Sequence, residues 1–119
     1  MHPSIQHGLI GAWCPSRGYT GWRLFDNSVY KHHAVLTAMD PGTDWVANEN
    51  GLVLDFDGTD DILNFNFPII PSGAAPKTAS FWFRCNGTIS TRQGLLYAGS
   101  ELTGKRFYLE IDTSKLLFN

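Results

Sequence analysis

The chain has 119 residues, a length that fits one domain around one core. Aromatic residues make up 13% and charged residues 17%, beside 12 glycines and 6 prolines, a balance that favours an all-β fold over a helical one. The formal charge of -2 and the scattered Lys and Arg residues exclude a basic surface, so we expect no nucleic-acid partner.

Alternating apolar and polar residues, with turn signals about every eight to twelve residues, are typical of a β-sandwich. No segment has helical periodicity. The alternation predicts strands, in chain order, at residues 8–14, 34–38, 52–57, 61–67, 78–85, 94–98, 106–112 and 115–118. Proline- and glycine-rich stretches separate several of these strands, the longest of them at 68–76.

The start of the chain and its cysteines limit the cellular setting. MHPSIQHG lacks the basic and apolar regions of a secretion signal, and no apolar run approaches the length of a membrane span. Cys14 and Cys85 form no C-x-x-C pair, which argues against a zinc site. One long-range disulfide and two buried free thiols both remain open.

Alternation within two strands assigns their faces, because successive side chains point to opposite sides of a strand. The core faces are expected to hold Ala79, Phe81, Phe83 and Cys85 in one strand and Phe107, Leu109 and Ile111 in the other. The opposite faces then carry Trp82 and Arg84, and Tyr108 and Glu110. Packing against another sheet is the alternative explanation for the two aromatic residues.

Four aspartates lie within LDFDGTDDILNF, residues 54–65. Asp57-Gly58 between two alternating segments predicts the tight turn of a β-hairpin, since both residue types tolerate positive φ. The aspartates are then expected to accept hydrogen bonds from backbone N–H groups of the turn. The two arms would bury a common face made of Leu52, Leu54, Phe56, Leu63, Phe65 and Phe67.

Five motifs follow one another in the order found in a known family. GLIGAWCP at 8–15 is similar to its GLVAYW strand, and LFDNSVYKHHAVLT at 24–37 to its D-x-S-G-x-G-x-H-G-x-L loop. GLVLDFDGTDDILNF at 51–65 is similar to its A-L-x-F-D-G-x-D-D-Y-V hairpin. TASFWFR at 78–84 and RFYLEIDTSKLLF at 106–118 are similar to T-I-S-A-W-V and F-x-L-x-I-D-x-x-G-K-L-x-F. The chain thus resembles laminin-G-like domains of the concanavalin A-like lectin/glucanase superfamily.

This resemblance implies an antiparallel jelly-roll sandwich of two sheets, with residues 1–119 as a single domain. Domains of the family are longer, so the resemblance also implies that this one is incomplete at its C-terminus. A longer polypeptide, or another chain at an open sheet edge, would complete it. The glycines of the family's loop are replaced at or near Val29, Lys31 and Ala34, so the loop need not follow the family path.

The resemblance does not extend to catalysis. Glycoside hydrolases of the superfamily place two glutamates around an aspartate on one strand face. Glu110 and Asp112 begin that pattern, but Ser114 and Lys115 stand where the second glutamate belongs. The four histidines lie in the first third of the chain and no serine sits in a G-x-S-x-G elbow, so a hydrolytic triad is not expected either. We predict a protein that is not an enzyme.

Two metal hypotheses differ in their chemistry. His32 and His33 are adjacent, and adjacent strand residues point to opposite sides, so we expect them to fill loop positions and not to share an ion. Calcium takes six to eight oxygen ligands from irregular loops, and related jelly-roll lectins bind it at loop rims. If the 24–37 loop folds beside the hairpin, Asp26 with Asp60 or Asp61 is the candidate calcium site.

A binding surface for sugars needs aromatic faces beside polar groups. Trp82, Arg84, Tyr108 and Glu110 supply this combination if their strands are neighbours in one sheet, and Tyr19, Trp22 and Trp45 are further loop candidates. The sequence therefore predicts a non-catalytic recognition module for a glycan or a protein surface. The alternative is a structural or assembly protein, forming homo-oligomers through an open edge. Either role fits an extracellular, cell-surface or virion location.

Overall fold

A computed structural model describes residues 7–65, 76–99, 106–113 and 115–118. These residues form a one-turn 3-10 helix, Pro15–Arg17, and eight strands. The strands are β1 Arg23–Leu24, β2 Ala34–Thr37, β3 Trp45–Asn48, β4 Gly51–Leu54, β5 Ile62–Asn64, β6 Gln93–Gly99, β7 Arg106–Asp112 and β8 Lys115–Phe118. They make three sheets within the described ranges, and every pairing is antiparallel. The predicted all-β class is confirmed.

The chain divides into two compact units, Met1–Ile69 and Ile70–Asn119. The first unit holds the sheet β1-β2-β5 and the hairpin β3-β4. Its central strand, β2, alternates buried Ala34 and Leu36 with less buried residues, as the sequence alternation predicts. Leu36 lies opposite Leu63 of β5.

The core of the first unit forms where β2 meets large side chains from the loops and the hairpin. Its buried members are Leu24, Ala34, Leu36, Met39 and Trp45, and Trp13, Leu52, Leu54, Leu63 and Phe65 pack against them. Both tryptophans of this set satisfy their indole N–H groups with backbone carbonyls, Trp13 with His32 at 2.8 Å and Trp45 with Gly21 at 2.9 Å. Burial of these rings therefore leaves no donor without a partner.

The hairpin β3-β4 contains a strand that the sequence reasoning missed. Trp45–Asn48 pairs with Gly51–Leu54 in a register that sets Trp45 opposite Leu54 and Asn48 opposite Gly51. The side chain of Asn48 accepts a hydrogen bond from Asn50 N at 2.8 Å, and Gly51 has φ 104°. Asparagine and glycine therefore provide the turn chemistry that closes this hairpin.

The predicted hairpin around Asp57-Gly58 is wrong in its pairing. β4 pairs with β3 and β5 pairs with β2, so the two expected arms belong to different sheets. The common apolar face is partly correct, because Leu52, Leu54, Leu63 and Phe65 pack on one core. Phe56 is exposed, and Phe67 lies outside the described residues.

The second unit holds the sheet β6-β7-β8. Tyr97 of β6 lies opposite Tyr108 of β7, and Glu110 of β7 lies opposite Leu117 of β8. The register of β6 against β7 shifts between Gly94 and Leu96, as at a β-bulge. Of the predicted core face of β7, Leu109 is buried, while Phe107 and Ile111 are half-buried.

Two predicted strands are wrong. Residues 8–14 contribute one isolated bridge, Trp13 with Asp26, and residues 78–85 have no strand pairing. Their alternation suits a strand, but a strand also needs a partner for its backbone N–H and C=O groups. Consequently the predicted core face of 78–85 is exposed, including Phe81, Phe83 and Cys85.

Cys14 and Cys85 are free and exposed. The free-thiol alternative is thus the one that the structure shows, but the expected burial is wrong. Both cysteines lie on segments without strand pairing partners of their own, the one directly before the 3-10 helix and the other after Arg84.

Candidate functional site

The Asp26 loop, residues 25–33 between β1 and β2, is organised by one buried carboxylate. Asp26 is only 2% exposed. Its Oδ1 accepts hydrogen bonds from Ala12 N at 2.9 Å and Ser28 N at 2.8 Å. Its Oδ2 accepts from Ser28 Oγ at 2.7 Å and His32 N at 2.9 Å. A buried carboxylate with four donors is fully satisfied, which is what its burial requires.

The backbone around Asp26 is held equally closely. Asp26 N donates to His33 Nδ1 at 3.0 Å, and Asn27 N donates to Ala12 O at 2.7 Å. Because Nδ1 of His33 accepts, its ring proton resides on Nε2. Together with the Trp13–Asp26 bridge, these bonds fasten the loop to residues 12–13 of the preceding segment.

The hydrogen bonds also set the charge state of Asp26. Burial by itself raises the pKa of this carboxyl, but the bonds from Ala12, Ser28 and His32 outweigh burial, so the net pKa lies below its ordinary value. Asp26 is therefore a carboxylate at neutral pH. Its position in the core-facing loop makes it a structural anchor of the first unit.

The histidines occupy the loop positions that the sequence predicted for them. His33 lies against Phe25 with ring centroids 4.5 Å apart, and His32 stacks on Tyr30 at 5.6 Å. Each ring thus has its own aromatic neighbour within the Asp26 loop.

The aspartates of residues 57–61 form a second, exposed arrangement. Asp57 Oδ1 accepts from Thr59 N at 2.7 Å and Asp60 N at 3.3 Å, and Asp61 Oδ2 accepts from Asp57 N at 2.8 Å. The prediction that these aspartates bond backbone N–H groups of the turn is confirmed. The hydrogen bond from Thr59 is the main reason that the pKa of Asp57 is lowered.

Carboxylate oxygens of Asp57, Asp60 and Asp61 lie within 4.8 Å of one another. Among the described residues, these three carboxylates are the cluster that could hold a metal ion, and Asp26 does not belong to it. Of the predicted calcium residues, the structure therefore brings Asp60 and Asp61 together, with Asp57 as the third carboxylate. Asp26 instead gives its oxygens to its own loop.

The predicted sugar-binding residues lie on two different kinds of element. Tyr108 and Glu110 share one side of β7, and both are half-buried. Trp82 is fully exposed at 102% in the irregular segment, where Arg84 Nε donates to Asn86 Oδ1 at 3.2 Å. The expectation of neighbouring strands is not met, because the described sheet partners of β7 are β6 and β8.

The loop aromatics of the first unit separate into exposed and buried members. Trp22 and Tyr19 are about three-fifths exposed, at 62% and 59%. Trp45 belongs to the core, and its ring lies edge-on to that of Tyr19 with centroids 5.4 Å apart. Of the three predicted loop candidates, Trp22 and Tyr19 are thus the ones that offer aromatic surface.

Sequence reasoning missed a pocket of about 230 Å³ in the first unit. We call it the Arg17 pocket; its lining residues are Cys14, Arg17, Gly18, Thr20, Phe25 and Asn27. The 3-10 helix and the residues beside β1 bring these side chains together. The signal in the sequence is a single arginine within CPSRGYT, a stretch whose other residues, apart from Tyr19, are small residues and turn formers.

Comparison with known proteins adds no relative: no family profile, no curated protein and no solved structure matches this chain. Among the residues that the structure describes, no helix has the length and apolar character to cross a membrane.

Proposed function

We propose that this protein is a non-catalytic recognition module that binds a glycan or a protein surface. Exposed tryptophans carry the proposal: Trp22 is 62% and Trp82 102% exposed. An exposed apolar ring gains free energy when a ligand or partner removes it from water. Aromatic rings are also the side chains that most often anchor binding sites. Their flat faces suit the apolar faces of sugar rings as well as partner side chains.

The laminin-G-like jelly roll is the architecture that we propose for this module. Uniformly antiparallel pairing supports it, as does the order of the five sequence motifs. Calcium binding at the 57–61 turn belongs to the same proposal, with Asp60 and Asp61 as ligands because their carboxylates lie close together.

The surroundings of Glu110 and Asp112 support a role without catalysis. Arg92 Nε lies 3.5 Å from Glu110 Oε2, and Arg92 Nη2 lies 3.6 Å from Asp112 Oδ2. Both carboxylates of the partial hydrolase pattern therefore lie beside the same guanidinium. The missing second glutamate of the hydrolase pattern agrees with this conclusion.

A glycan array probed with the whole chain tests the proposal. We expect a defined set of glycans to retain the wild-type protein, with weaker signals for Trp22→Ala or Trp82→Ala. Val29→Ala is the matched control, because Val29 is 87% exposed but not aromatic. An array without any signal would reject the arrayed glycans as ligands and favour a protein surface.

The second candidate function is assembly into a larger structure. It is favoured by the β6-β7-β8 sheet, in which β6 and β8 each have one sheet neighbour in the order given by the described residues. Open strand edges are templates for pairing with another chain. Light scattering separates the two functions: a single defined oligomer supports assembly, and a monomer at high concentration argues against it.

A further inference from the structure

Arg17 of the Arg17 pocket has a fixed backbone, but its guanidinium has no charged partner among the described residues. Arg17 N donates to Cys14 O at 3.2 Å within the 3-10 turn, and Gly18 N donates to Pro15 O at 3.1 Å. Among described residues, no carboxylate or other side chain is bonded to the Arg17 head group. Arg92 shows the contrasting case, since two carboxylates lie within 3.6 Å of its guanidinium.

The walls of the pocket supply hydrogen-bond acceptors. The Thr20 hydroxyl donates to Arg23 O, so its lone pairs are left to accept. The Asn27 amide nitrogen donates to Ala12 O at 3.3 Å and Phe25 O at 3.4 Å, which leaves its Oδ1 as an acceptor. The lining residues therefore carry one cation and two neutral acceptors.

An aromatic ring completes the lining. Phe25 is 46% exposed, and its ring is positioned by His33 at a centroid distance of 4.5 Å. Its free face is available to stack on the apolar side of a saturated ring. No acidic residue lines the pocket, so nothing in the lining competes for the Arg17 charge.

Charge and size together select the ligand. A guanidinium donates two parallel hydrogen bonds to a carboxylate or to a phosphate group, and the planar carboxylate is the smaller of the two anions. The acceptors of Thr20 and Asn27 suit hydroxyl donors. Drug-sized ligands occupy pockets of roughly 300–1,000 Å³, so about 230 Å³ holds one small ring and not an extended oligosaccharide.

We infer that the Arg17 pocket binds a single carboxylate-bearing sugar unit of the uronic acid class. The carboxylate lies against Arg17, the ring stacks on Phe25, and ring hydroxyls donate to Thr20 and Asn27. This inference rests on the proposed recognition function and makes it specific, because it names an acidic glycan as the class of ligand.

The test is a titration of the isotope-labelled full chain, followed by the amide resonances of Gly18, Thr20 and Asn27. The probes are methyl glucuronide, methyl glucoside and sodium acetate. We expect methyl glucuronide to bind roughly tenfold or more tightly than either of the other two probes. Methyl glucoside lacks the carboxylate, and acetate lacks the hydroxylated ring. Glucuronide binding no tighter than acetate overturns the sugar assignment, and no shifts with glucuronide overturn the site.

Two variants separate the effect of the Arg17 charge from general charge attraction. Arg17→Gln removes the charge of an exposed side chain and is expected to reduce glucuronide affinity to the glucoside level. Arg23→Gln makes the same charge change at an exposed residue outside the lining and is expected to leave affinity unchanged. Equal losses in both variants would mean general charge attraction and would overturn the inference.

The glycan array distinguishes failure of the pocket from failure of the module. Array signals that Arg17→Gln leaves intact but the tryptophan variants remove would overturn the pocket and keep the recognition function. A silent array with Arg17-dependent glucuronide binding would reject recognition of the arrayed glycans and keep the pocket.

Discussion

Asp26 is predicted to be a calcium ligand, but donors from its own loop and one distant donor use its carboxylate oxygens instead. Its donors include Ala12 N, which is 14 positions earlier in the chain. The sequence indicates an acidic residue at the start of a loop, but nothing in the local pattern reveals that Ala12 approaches it. Buried polar groups depend on such long-range partners, which local spacing does not encode.

Asp26→Asn is expected to lower the free energy of unfolding by about 2 kcal/mol or more, because an amide turns one acceptor into a donor that faces N–H and O–H groups. Chemical denaturation measures this change. Asp60→Asn is the matched control, with chelator in every sample so that bound calcium contributes nothing. Asp60 is exposed, and its replacement is expected to shift stability by less than about 0.5 kcal/mol. Equal effects in both variants would contradict the anchor role of Asp26.

The lowered pKa of Asp26 predicts a pH dependence of stability. An aspartate ionises near pH 3.9 in an unfolded chain, and in the folded chain Asp26 ionises at lower pH. Its contribution is therefore present above that unfolded pKa and is lost as the pH falls through the folded pKa. Between pH 6 and 2, the melting temperature of the wild type should fall more steeply than that of Asp26→Asn. Parallel curves of melting temperature against pH would contradict this expectation.

At the scale of elements, alternation located strands better than it located their partners. β2, β7 and β8 agree closely with the predicted ranges. β3 was missed, although Asn48 and Gly51 flank its turn, and β5 joins β2 where the sequence favoured β4. Pairing is decided by contacts between segments far apart in the chain, whereas alternation reports only that one side of a segment is apolar.

The 57–61 turn carries the calcium prediction. If Asp57, Asp60 and Asp61 hold the ion, calcium stabilises the folded chain and a chelator lowers its melting temperature. Removing a carboxylate with Asp61→Asn should abolish the difference between calcium and chelator, while Asp40→Asn in another exposed turn should retain it. A melting temperature that is the same with calcium and with chelator would contradict the site.

At the scale of the whole molecule, composition predicted the all-β class, and the structure confirms it. Each of the two compact units carries features that the proposed recognition function would use. The first unit presents Trp22 and the Arg17 pocket, and the second presents Trp82. Exposure of these residues depends on which segments find strand partners, so alternation alone assigned Phe81 and Phe83 to a core in which they do not lie.

The central claim is that exposed tryptophans carry recognition. The affinity of the protein for the arrayed glycan that gives the strongest signal tests it. We expect Trp22→Ala or Trp82→Ala to weaken binding about fivefold or more, as truncation of an aromatic anchor does. Val29→Ala should bind as the wild type does. Wild-type affinity in both tryptophan variants would contradict the claim.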